Sequence, residues 1–248
     1  MFDQLIAQAP TFFTRFTFAF LFDAMLRTLA MTALGCSVGL AAGFAIAVVR
    51  FTHTRWLAPL RFVLTVLVEV FRRIPFLVNL FIVMFALQGF GADISLFTIA
   101  TVSICIVATA FLSEVIRAGL ESVPRQQIEA AHVMNFGYAR MLFSVLLPQS
   151  WRVILPPAFA FMVMFIKDTS LASQMGVVEL TFSGKVLMNR GFSPFLVYGA
   201  VLAAYFILSY PLSRLGAHLE NRLATPRSQK SLKRVRATSG PARHHSVG

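Results

Sequence analysis

The stretch QQIEAAHVMNFGYARMLFSVLLPQSWRVILPP, residues 126–157, lies between runs apolar enough to be buried in lipid and is itself too polar to be one. Just before it, Pro124 suits the first turn of a helix, because its missing N–H is one that this turn leaves unpaired anyway. Gly137 then interrupts, and Tyr138 opens a second helical piece that Pro148 is expected to stop. Ile128, Ala131 and Met134 share an apolar side, whereas Arg125 and Glu129 share another. A segment of this kind belongs at a membrane interface or in a protein groove, where carbonyls and charges are not buried in hydrocarbon. The fold class is therefore all-α and polytopic, with these two short helices outside the lipid.

Composition agrees with that reading. Over 248 residues the mean hydropathy is +0.74 and only 13% of residues are charged, about half the share of an ordinary soluble domain. The net charge of +12 comes from basic residues between or after apolar runs, which the positive-inside rule explains without nucleic acid. Cys36 and Cys105 both fall inside apolar runs and read as small buried hydrophobes rather than a disulfide or metal pair.

The apolar runs give five spans. Residues 28–49 carry no formal charge and suffice to cross a bilayer. Within them Gly35, Gly39 and Gly43 recur at four-residue steps, a face that lets another helix approach closely. Arg50, His53, Arg55 and Arg61 make the following loop basic. Residues 60–87 read as one crossing with an irregular middle, because Glu69, Arg72 and Arg73 interrupt the run and Pro75 breaks the ladder. Residues 94–113 form the third span, with Glu114 and Arg117 at its end. The fourth opens at Arg152 and continues to about Ser173, with Pro156 and Pro157 expected in its first turn, and residues 191–213 form the fifth. Ahead of the first span, residues 1–23 read as an aromatic interfacial segment. Residues 175–190 read as an outer segment holding a short helix over 177–188. Residues 224–248 read as a basic tail, expected to be disordered beside anionic lipid.

Two readings stand for Glu69, Arg72 and Arg73. At three- and four-residue spacing they neutralise one another while the arginines reach the headgroups, or they line a route for substrate. The two arginines outnumber Glu69 by one, which leaves one positive charge for a substrate carboxylate or a lipid phosphate.

The run Glu129-Ala130-Ala131, with Leu147-Pro148 and Leu155-Pro156-Pro157 after it, resembles the cytoplasmic EAA signature of bacterial ATP-binding-cassette import permeases. IKDTSLAS, residues 166–173, together with Leu147-Pro148-Gln149, is similar to the polar amino acid subfamily. Val70-Phe71-Arg72 with Pro75-Phe76-Leu77-Val78 resembles that subfamily's second-helix segment, and weaker similarity runs from about residue 28 through 223. The chain departs from the pattern at Gln126 and Asn135, where glycine is usual, at Arg73-Ile74 in place of Gly-Thr, and at Ala160 in place of asparagine.

The resemblance implies an ABC type I importer permease fold, with five transmembrane helices plus short cytoplasmic coupling helices. Residues 24–223 would be the permease domain and 124–157 its coupling region. Glu129 would be a polar anchor for an ATPase subunit, with Ala130, Ala131, Asn135 and Pro148 in the same coupling region. For Gly137 the expectation rests on its position alone, as a turn with no Cβ in the way. Lys167, Asp168, Thr169 and Ser170 would border the translocation pathway, although Lys167 and Asp168 could equally neutralise each other at headgroup level. The implied partners are two ATP-binding subunits, a second permease chain in a homo- or heterodimer, an external amino-acid-binding protein and membrane lipid, and no nucleic acid. ATP and magnesium would sit on the ATPase partners, and this chain would bind no cofactor. The basic segments and the coupling region would face the cytoplasm, so five spans put the N-terminus outside and the C-terminus inside at a bacterial inner membrane. Two rivals stay open. An ion-coupled secondary transporter would need an internal inverted repeat, which five unequal spans do not display, and a membrane scaffold would have no pathway at all.

Overall fold

The computed structural model describes residues 2–52, 54–91 and 93–223, and the bundle it forms is built on one close helix pair. Helix α1 covers Phe2–Phe12 and α2 covers Arg15–Phe51. Thr14 caps α2 by accepting the Thr17 N–H, which satisfies one of the donors a helix start leaves free. At 1.5 Å per residue its 37 residues extend about 55 Å, more than a hydrocarbon core requires. The aromatic segment expected over residues 1–23 is thus divided. No break occurs at Asp23, which pairs with Arg27 at 2.8 Å on the surface of the same helix.

Helix α5, Leu96–Glu121, packs along α2. The three glycines make this possible: Gly35 faces Ile104, Gly39 faces Ala108 and Gly43 faces Ser113. A Cβ at Gly39 would lie 2.6 Å from the Ala108 Cβ and 2.9 Å from its carbonyl carbon, so no side chain fits there. Because the numbers rise together along both helices, α2 and α5 run in the same direction. The chain between them must therefore travel back.

Two helices share that return. Helix α3 covers Ala58–Arg73, preceded by a 3₁₀ turn at Arg55–Leu57, and α4 covers Phe76–Gly89. The irregular middle expected here is a bend of 116° between them. Pro75 cannot donate to the ladder and biases the residue before it away from helix. Ile74 accordingly lies at φ −80°, ψ 133°. Beyond the bend, fully buried Asn79 donates from Nδ2 to the Ser103 carbonyl at 3.3 Å, tying α4 to α5.

After α5 come two short helices, α6 (Arg125–Val133) and α7 (Tyr138–Met141). Pro148 was expected to stop the second, and it does not. The chain passes through a π-helical turn, Leu142–Leu146, directly into α8, Leu147–Asp168, with Pro148 in the first turn of α8. A π turn shifts the pairing by one residue, so the missing proline donor is absorbed where the ladder is already irregular. Because α8 begins at Leu147, Pro156 and Pro157 lie in its interior rather than in its first turn. A 3₁₀ segment, Thr169–Met175, ends at Gly176, whose φ of 85° suits only a residue without Cβ. The short helix expected over 177–188 is α9, Leu180–Asn189, and α10, Pro194–Leu223, returns along α8. Four helical runs are long and apolar enough to cross a membrane, and a fifth span results if the bent pair α3–α4 counts as one. The basic stretch expected as a tail, 224–248, lies outside the described residues.

Candidate functional site

The end of the bundle where α2 and α5 finish carries α6 and α7. Ala131 is fully buried there, in a cluster with Ala47, Ile116, Leu120, Leu142 and Leu146, and Ile128 and Phe136 pack against it. Tyr138 donates its hydroxyl hydrogen to the Val48 carbonyl at 2.9 Å, which fixes α7 to α2. Opposite this seat, Glu129, Ala130 and His132 face outward, and Val133 is 88% exposed. Met134, expected on the apolar side with Ile128 and Ala131, is exposed beside Val133. One helix face therefore holds the bundle and the other presents a carboxylate next to apolar side chains.

The turn after α6 is made by Asn135, at φ 55°. Phe136 N–H closes onto the Ala131 carbonyl at 3.0 Å and Asn135 N–H onto that of His132 at 2.9 Å, a helix ending in which asparagine can replace the usual glycine. Gly137 is at φ −65°, ψ 158°, with nothing within 4 Å of an added Cβ. The turn without a Cβ expected there is not found; the left-handed residue is Asn135. Pro148 stands apart from this surface, beside Trp151 in an apolar cleft of about 540 Å³ between α2 and α8.

A second constellation sits just inside the same end. Arg50 from α2, its side chain only 6% exposed, donates from Nη1 to Glu114 of α5 at 3.0 Å and from Nε to the Thr65 hydroxyl of α3 at 3.2 Å. Arg117, one turn along α5, pairs with Glu114 and with Glu121. Arg72 lies 3.5 Å from Glu69 and 3.9 Å from Glu114, with its guanidinium over the Phe111 ring. Arg73 is 80% exposed and pairs with Glu69 at 3.1 Å. The charge balance drawn from Glu69, Arg72 and Arg73 alone is corrected accordingly, because Arg72 has a second carboxylate on another helix. Glu114 gathers guanidiniums from three helices at the level of the bend. No local spacing pointed to Arg50 as its partner, since the two stand 64 residues apart.

At the opposite end, Lys167 is exposed, Asp168 and Ser170 are half-buried and Thr169 is buried, its hydroxyl donating to the Ile166 carbonyl at 2.7 Å. No salt bridge joins Lys167 to Asp168, so mutual neutralisation, one of the two readings held for this pair, is not made as a direct ion pair. Neighbouring positions on a helix point about 100° apart, so adjacency in sequence does not make a pair. A polar knot that the sequence did not reveal lies beside this turn. Glu179, fully buried, caps α9 through the Phe182 N–H at 2.8 Å and accepts the Tyr205 hydroxyl of α10 at 2.9 Å. Burial pushes its carboxyl above the ordinary range, opposed by the N–H groups of Thr181 and Phe182 and by the Tyr205 hydroxyl.

The family described as "Binding-protein-dependent transport system inner membrane component" matches residues 37–225. The L-cystine transport system permease protein TcyB of Bacillus subtilis (strain 168) is 34% identical over 197 residues, covering 79% of this chain and 83% of that protein. The glutamine transport system permease protein GlnP of Escherichia coli (strain K12) is 32% identical over 191 residues, 76% of this chain and 84% of that one. Among solved structures, an amino acid ABC transporter crystallised with histidines superposes with a TM-score of 0.74 at 27% identity, over 82% of this chain and 94% of that chain. The MetNI methionine ABC transporter, in an inward-facing form, superposes with a TM-score of 0.74 at 22% identity over 86% of this chain and the whole of that chain, which is a likeness of fold. With the family pattern running from the middle of α2 to the end of α10, this chain belongs to the inner membrane components of binding-protein-dependent transport systems.

Proposed function

We propose that this chain is the permease subunit of an ATP-driven importer of a polar amino acid, and that α6 is the contact through which ATPase subunits drive it. The observation that carries the coupling half is the two-sided seat of α6. Ala131 is locked into the ends of α2, α5 and the π turn, while Glu129, Ala130, Val133 and Met134 face away from the bundle. A push on the outer face reaches the spans without passing through a loose loop, and Asn135 fixes the angle at which α6 leaves them. The substrate class rests on the relatives, which are named for L-cystine and glutamine transport. Two copies of the permease, or this chain with a second one, form the passage. Two ATPase subunits carrying ATP and magnesium bind at α6, and an external binding protein delivers the amino acid. The polar turn of Lys167, Asp168, Thr169 and Ser170 borders the passage. Glu69, Arg72 and Arg73 control the bend beside it, with Arg72 held by Glu114. The arginine-rich end faces the cytoplasm and the N-terminus lies outside.

Reconstitution with the ATPase partners and an amino-acid-binding protein in liposomes tests this reading. Loaded binding protein is expected to stimulate ATP hydrolysis and uptake together, and Glu129→Lys to abolish co-purification of the ATPase while the chain stays inserted, because a reversed charge at an interface repels the partner it once attracted. Uptake with unchanged ATPase association in Glu129→Lys would remove α6 from the coupling role. Uptake driven by an ion gradient without ATP would remove the importer itself.

A further inference from the structure

Beside the Glu114 cluster, a cleft of about 480 Å³ opens between the end of α2, the first turns of α3 and the end of α5. Arg50, Arg61, Phe62, Thr65, Arg117 and Glu121 line it. Three guanidiniums converge, and two are neutralised: Arg50 by Glu114, and Arg117 by Glu114 and Glu121. Arg61 is not. It donates from Nη1 to the Thr52 carbonyl at 2.6 Å, and among the described residues no carboxylate pairs with it. Around the cleft three positive groups therefore face two negative ones, and the guanidinium of partly exposed Arg61 makes no other hydrogen bond among the described residues, so donors of it stay open. A planar fork of N–H groups in that state matches an anion bearing two or more oxygens.

What surrounds the cleft narrows the anion. Phe62 on its wall is 70% exposed, and Trp56, in the 3₁₀ turn that precedes α3, is 89% exposed. Val63 and Val66 continue the bare apolar strip along α3. A soluble anion would leave those side chains uncovered. An arginine beside an exposed phenyl ring, at the end of spans that cross a bilayer, lies at the depth where headgroups meet acyl chains. We propose that this cleft binds the phosphate of an anionic phospholipid, with Arg61 as the principal donor and Phe62 and Trp56 against the lipid's chains. The chemistry recognised is a phosphate ester, and the apolar strip commits it to the lipid-borne form.

The test uses the permease co-purified with its ATPase partners, stripped of lipid in detergent, and offered phosphatidylglycerol and phosphatidylcholine at equal concentration, with retention read by native mass spectrometry. Phosphatidylglycerol is expected to be retained about tenfold better, and Arg61→Gln to erase the preference, since a charge-assisted hydrogen bond is lost. Arg222→Gln, on exposed α10, is expected to leave it intact. Phe62→Ala, a change on an open surface that does not threaten folding, is expected to lower retention of phosphatidylglycerol severalfold. Equal retention of the two lipids, or an undiminished preference in Arg61→Gln, would overturn the proposal. So would unchanged retention in Phe62→Ala, and so would complete displacement of the lipid by millimolar glycerol phosphate, which would assign the cleft to a soluble phosphate ester.

Discussion

Glu114 holds Arg50, Arg72 and Arg117 at once, and of these Arg50 is the most deeply enclosed. Breaking a buried pair from one side leaves a charge with no partner and little water, a loss of about 3 kcal/mol or more. Glu114→Ala is therefore expected to lower the unfolding midpoint in detergent clearly. Glu69→Ala, whose partner Arg73 lies on the surface and whose other partner Arg72 keeps Glu114, is expected to cost about 1 kcal/mol or less. Equal midpoints for the two variants would show that Glu114 is no hub. A second pair of substitutions separates Asn135 from Gly137. Asn135→Val places a β-branched residue at φ 55° and is expected to cost about 1–2 kcal/mol, whereas Gly137→Ala enters open space and is expected to be silent. ATPase co-purification and thermal melting read both; a damaging Gly137→Ala would reverse the assignment. The first member of this pair stands where the resembled family has glycine, and asparagine tolerates the left-handed region better than most residues. The second was misjudged because glycine's freedom says nothing about whether a given backbone uses it. Glu114 was visible only as a charge at a span's end, for its partner on α2 is far away in sequence.

Among the elements, the α2–α5 pair was the most legible, because glycines at four-residue steps announce a flat face whatever the helix meets. Its partner and its direction were not legible, and these matter most, since two helices running the same way force α3 and α4 to share the return. Pro75 announced a break, but the 116° between the halves is set by what each half packs on, and Asn79 reaching the Ser103 carbonyl is a contact that no periodicity encodes. Pro148 misled for the opposite reason: a proline stops a helix only where its missing donor is needed, and the π turn before it had already altered the ladder. The glycine face makes a graded prediction. Gly39→Ala sets a methyl against both the side chain and the backbone of Ala108, so the helices must separate, and the assembled bundle is expected to be lost. At Gly35 the obstruction is chiefly the Ile104 side chain, which another rotamer can withdraw, so Gly35→Ala is expected to be milder. Monodispersity in detergent and melting temperature rank the two, and a milder Gly39→Ala would mean the interface has more slack than its contacts imply.

At the scale of the whole molecule, orientation joins these pieces. The ends of α2 and α5 lie together with α6, and that end bears Arg50, Arg55, Arg61, Arg117, Arg125 and Arg140, whereas the α4–α5 turn at the other end, around Phe90, carries no basic residue. Positive charge in short loops is held on the cytoplasmic side during insertion, so the arginine-rich end is expected inside. With the same-direction packing of α2 and α5, the rest is expected to follow: α3 and α4 would return to the outside, α8 would rise against α5, α10 would descend against α8, and the two ends of the described chain would lie on opposite sides. With Cys36 and Cys105 first replaced by alanine, single cysteines at Phe90, Val133 and Asn221 test this with an impermeant thiol reagent on intact cells. Phe90→Cys, at the tip of the α4–α5 turn, is expected to react from outside at once. Val133→Cys on α6 and Asn221→Cys near the end of α10 are expected to react only after the membrane is opened. Labelling of Asn221→Cys from outside, with Val133→Cys still protected, would mean that only one of α8 and α10 crosses the membrane. Labelling of Val133→Cys itself would invert the molecule and leave α6 with no ATPase to meet.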